Sequence, residues 1–102
     1  MVDMISDIEA MLPKYDRIFI IPYDEAESGL CAEFMNSDEV KNSKQKIHFI
    51  VDRCHEAEDL FLTYQFSTKV SYLSDKTNYG NVFNYYHAGL LTKQEIFRLM
   101  LE

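Results

Sequence analysis

The chain has 102 residues, of which 47% are hydrophobic and 14% aromatic, and it carries a formal net charge of −7. A chain of this size supports one hydrophobic core, a single α/β domain over residues 1–102, with enough apolar surface to fold without disulfides or structural metal. The negative charge opposes attraction to phosphate backbones and anionic lipid, which removes nucleic acid and membrane surfaces from the expected partners, and no apolar run approaches the ~20 residues that cross a bilayer.

The first predicted element is a short amphipathic helix over Asp3–Leu12. Ile5, Ile8, Met11 and Leu12 share one face, Asp3 stands as cap and Pro13 as stop. Asp3, Asp7 and Glu9 replace the basic stretch of a secretory signal, so a cytoplasmic location is expected. Arg17–Pro22 is a continuous apolar run, the pattern of a strand covered on both faces. Glu25–Met35 places Ala26, Leu30 and Phe34 four apart and predicts a helix that Gly29 weakens.

The polar stretch Asn36–Lys46 reads as a surface connection without periodicity except around Val40. Ile47–Val51 is a second strand, and Asp52 follows it much as Asp24 follows the first. His55–Phe66 reads as a helix with Ala57, Leu60, Phe61 and Tyr64 on one face. Lys69–Leu73 is a third strand, and the turn formers Ser74–Gly80 come next. Val82, Phe83, Tyr86 and His87 predict a helix that Gly89 closes in a left-handed cap. Thr92-Lys-Gln-Glu95 is a capping-box pattern, with Ile96, Leu99 and Met100 as the apolar face behind it.

Alternating strands and helices predict a parallel sheet with right-handed crossovers. The expected architecture is a small three-layer α/β/α sandwich around a three-stranded, mostly parallel sheet. Such a sheet is a Rossmann-like or flavodoxin-like fragment, finished here by two short C-terminal helices.

Ligands of open α/β sheets bind beyond the carboxyl ends of the strands. That rule selects Tyr23, Asp24, Glu25 and Glu27 after the first strand, Asp52, Arg53 and His55 after the second, and Ser74, Asp75, Thr77, Asn78 and Gly80 after the third. The third loop precedes a helix whose first amides lack internal partners, an arrangement that can hold phosphate or carboxylate. The same Ser, Thr and Asn also serve as ordinary caps. Asp24, Asp52 and Asp75 would form a cation site only by converging. Capping and strand-end roles are the better reading, and no metal is assigned.

Asp52 with His55 forms an acid/base pair only at the expense of capping. Cys31 and Cys54 form no CxxC and read as free thiols, while His48 reads as a core histidine within its strand. No GxGxxG, GxxxxGK[ST] or GxSxG pattern is present, so no cofactor is expected. Asp24-Glu25, Asp52, Ser74 and Lys93 resemble, in order, the acidic pair, phosphoacceptor, hydroxyl residue and lysine of two-component receiver domains. The interval from Asp24 to Asp52 is too short for the strand and helix that family places between them, so no activity is carried over.

Two functions compete. One is a binding or protein-interaction module without catalytic machinery, docking a protein partner or a second copy through Tyr79, Phe83, Tyr85, Tyr86, Leu90 and Leu91. The other is a domain or subunit, transferase-like in kind, that binds a phosphorylated small molecule such as a nucleotide or sugar nucleotide at the Ser74–Gly80 loop.

Overall fold

The computed structural model describes residues 4–53, 67–73 and 80–102. In order they form α1 (Met4–Met11), β1 (Arg17–Pro22), α2 (Tyr23–Ala26), α3 (Gly29–Met35), α4 (Asp38–Lys41), β2 (Ile47–Asp52), β3 (Val70–Tyr72), α5 (Gly80–His87) and α6 (Lys93–Met100). The helix expected over His55–Phe66 lies outside the described residues.

The three strands form one parallel sheet in the order β2-β1-β3. Its register is set at the amino end, where the Asp16 amide donates to the Lys46 carbonyl at 2.8 Å and the Lys46 amide donates to Asp16 Oδ2 at 2.7 Å. Arg17 thereby pairs with Ile47, and Ile18 with both His48 and Val70. Alternation along β1 splits its apolar run between the two faces of the sheet. Ile18 and Ile20 pack with Ile8 of α1, Val70 and Tyr72, while Phe19 and Ile21 pack with Cys31, Phe34, Leu73, Phe83, Ile96, Phe97 and Met100. Helices therefore cover both faces of the sheet, as the three-layer expectation requires.

Coverage is unequal across the sheet. All of β1 beyond Arg17 is buried, whereas Ile47–Val51 of β2, at one edge of the sheet, remain half-buried. His48 is accordingly no interior histidine: its ring stacks on Tyr15 with centroids 4.6 Å apart, half open at the sheet edge.

The helix expected over Glu25–Met35 is two helices. Gly29 adopts φ +81°, a left-handed conformation that a right-handed helix cannot carry through, so the chain breaks at Glu27-Ser28 and restarts. The stretch after Asn36 also differs from its expected irregularity, since it contains the single turn α4. Ser37 creates it by donating from Oγ to the Phe34 carbonyl at 2.7 Å while accepting from the Val40 amide at 3.3 Å, closing α3 and opening α4 with one hydroxyl.

At the carboxyl end of α5, Gly89 takes φ +75°. Its amide donates to the Tyr86 carbonyl at 3.0 Å and the Leu90 amide to the Tyr85 carbonyl at 2.9 Å, the paired bonds of a Schellman cap. Thr92 and Glu95 form the expected capping box. The buried face of α6 is Ile96, Phe97 and Met100, with Leu99 exposed, a correction to the expected face. Phe97 takes the inward position because its ring meets Phe34 at 5.4 Å. The far end of α6 is tied to the sheet by Arg17, which donates to the carbonyls of Met100 and Glu102, and to the segment before β2 by Gln45, which donates to that of Leu101. Among the described residues no helix is long and apolar enough to cross a membrane.

Candidate functional site

Pro22 ends β1 and leads without a loop into α2, so Asp24 and Glu25 sit directly at the carboxyl end of the central strand. The Glu27-Ser28 break then turns the chain into α3. On the other side, α5 follows β3 and packs Phe83 into the same core as Phe34 and Leu73. Between the α2–α3 corner and α5 lies an open cleft of about 390 Å³, lined by residues including Asp24, Glu25, Ser28, Glu33, Tyr86 and His87. In a sheet of order β2-β1-β3 the chain reverses direction of growth between β1 and β3, and this is where ligands of open α/β sheets bind.

Three carboxylates give the cleft its electrostatic character. Glu33 is held by Lys93, whose Nζ donates to Glu33 Oε1 at 3.0 Å and lies 5.7 Å from the centre of the Tyr86 ring. The Glu33 hydrogen bond is the main cause of a Lys93 pKa raised above the ordinary lysine value, so Lys93 remains an ammonium at neutral pH. Cys31 contributes its edge to the cleft, but its thiol is buried and turned to the Leu73 carbonyl at 3.7 Å.

Of the residues selected from sequence, the cleft takes Asp24 and Glu25. Tyr23 is exposed and faces the Arg53 guanidinium, 5.4 Å from its ring centre, outside the cleft lining. Glu27 is exposed at the end of α2 and does not line the cleft either. Asp52 is the last residue of β2 rather than the first after it, and with 0% of its surface exposed it presents nothing to solvent. Asp52 and Asp24 are therefore not brought together on the cleft wall. His55, Ser74, Asp75, Thr77 and Asn78 lie outside the described residues, and Gly80 is the first residue of α5. Among the described residues no group of three His, Cys, Asp or Glu side chains is placed to hold a metal ion.

Sequence reasoning missed Ser28, Glu33, Tyr86 and His87 as cleft residues. The spacing of Phe83, Tyr86 and His87 marked a helix face, and that face is the cleft's second wall. Glu33 carried no such signal, because its position depends on the turn at Gly29. Of the aromatic and apolar residues assigned to docking, Phe83 is buried and Tyr86 half-buried, while Tyr85 and Leu90 are 49% and 69% exposed. These last two are the residues whose backbones close the Schellman cap, where an apolar pair is commonly found. Comparison with known proteins finds no matching family model, no matching curated protein and no matching solved structure.

Proposed function

We propose that the chain is a binding module without catalytic machinery of its own, whose cleft receives a positively charged group presented by a partner protein. One observation carries this reading: the cleft at the carboxyl end of the central strand is walled by Asp24, Glu25 and Glu33, together with Tyr86. A carboxylate next to an aromatic face is the environment that holds an ammonium or guanidinium group. The same carboxylates repel phosphate, which weighs against a nucleotide or sugar nucleotide in the described part of the cleft. The strand order supports a Rossmann-like arrangement.

Calorimetric titration with an unlabelled peptide alternating Lys and Gly tests the proposal. Saturable binding to one site is expected, weakening as salt rises and weakening further in Asp24→Asn and Glu33→Gln. Asp7→Asn in α1, on the opposite face of the sheet, makes the same change of net charge away from the cleft. If it weakens binding as much as the cleft variants, bulk charge explains the affinity and the proposal fails. A thermal-shift response to sugar nucleotides with none to the peptide would move the assignment to the phosphorylated-ligand reading.

A further inference from the structure

We propose that the Lys93 ammonium is the cleft's resident cation, an intramolecular stand-in that an incoming positively charged group displaces. This rests on the reading of the cleft as a cation site. Lys93 is the first residue of α6, directly after the Thr92 cap. A positive charge there is opposed by the helix dipole, which favours anions at this end, as Glu95 illustrates two positions on. The helix that carries Lys93 therefore gives no reason for its charge.

The reason lies in two side chains that line the cleft. Lys93 meets Glu33 of α3 at 3.0 Å and the Tyr86 ring of α5 at 5.7 Å, so one side chain from α6 touches both walls. Carboxylate and ring together supply the contacts a partner's lysine or arginine would need, and Lys93 already fills them. The hold is weak by construction. The Lys93 and Glu33 side chains are 34% and 49% exposed, water screens their attraction, and the helix dipole pulls against it. Such a contact excludes small cations that bind through charge alone. It yields to a partner that brings further contacts of its own.

The test is the same Lys-Gly peptide titrated into the whole chain carrying Lys93→Met, which keeps the length of the stem and removes the charge. The peptide is expected to bind roughly two- to five-fold tighter than to the unaltered chain, the range an exposed ion pair represents. Lys93→Arg, which keeps the charge, is expected to bind like the unaltered chain, and adding Glu33→Gln to Lys93→Met is expected to abolish the gain. Lys14→Met, beyond the end of α1, makes the same change of net charge and sets the baseline.

A gain in Lys93→Met no larger than in Lys14→Met overturns the inference, and the cleft reading survives if Glu33→Gln alone still weakens binding. Failure of every variant to bind the peptide overturns both. If Lys93→Met does not fold, as judged by circular dichroism, Lys93→Gln replaces it with the same expected ordering.

Discussion

Phe34 joins the site to the core, and its replacement by Ala is the most direct test of the architecture. The ring is fully buried and meets Phe19 edge-on at 5.3 Å, Phe97 at 5.4 Å and Phe49 at 5.9 Å. Removing a buried phenyl ring from a packed core costs about 3–5 kcal/mol through lost transfer free energy and residual cavity. Three ring partners that cannot all follow the vacated volume place the expected loss near 4 kcal/mol. With a urea slope of about 2 kcal/mol/M, the midpoint should fall by about 2 M at unchanged slope. Urea denaturation followed by far-ultraviolet circular dichroism measures both quantities. The double variant with Phe97→Ala should be less destabilised than the sum of the singles, because the two rings share one cavity. A midpoint shift below about 0.5 M at unchanged slope, or strict additivity with Phe97→Ala, would refute the placement of α3 against α6. The cleft depends on this placement, since α3 carries Glu33 on the turn after Cys31.

Thr92→Ala should lower stability by about 1 kcal/mol, since the Glu95 amide loses its 3.1 Å acceptor; urea midpoints measure it. The Glu95 carboxyl is held below the ordinary value of 4.5, first by the Thr92 backbone amide and then by the Thr92 side chain. Its contribution is thus present above the unfolded-state pKa and lost as pH falls through the folded one, so the penalty of Glu95→Ala should shrink between about pH 5 and pH 3. A penalty independent of pH would contradict the capping box. Gly89→Ala should cost roughly 1–2 kcal/mol from the left-handed backbone alone, as no atom lies within 4 Å of an added Cβ, and Gly89→Asn should cost less. Equal thermal midpoints for all three would exclude the Schellman cap.

The strands and layers were legible because their signals are local. Arg17–Pro22 is bounded by charge and proline, and its four apolar residues left no solvent face to assign. The Gly89 cap and the Thr92 box were equally local, each written in a residue type with one main backbone use. Where the sequence misled, tertiary contacts made the choice. Leu99 and Phe97 fit the face of α6 comparably well by spacing, and the ring of Phe34 selected Phe97. Asp52 and Asp24 looked equivalent after their strands, yet one is sealed at the end of an edge strand and the other opens to a cleft. The cleft itself was half legible: strand ends announced Asp24 and Glu25, while Glu33 and Tyr86 reach it only through the turn at Gly29 and the packing of α5.

The position of β1 between two parallel neighbours has a further consequence for how the sheet opens. In a parallel strand successive residues turn their amides to opposite sides, and here the Arg17 amide donates to Lys46 beside β2 while the Ile18 amide donates to Lys69 beside β3. Detachment of the three-residue β3 would therefore free every second amide of β1 and leave the alternate set bonded to β2. Hydrogen exchange along this single strand would read as a comb, its two sets of teeth reporting separately on the release of each neighbour.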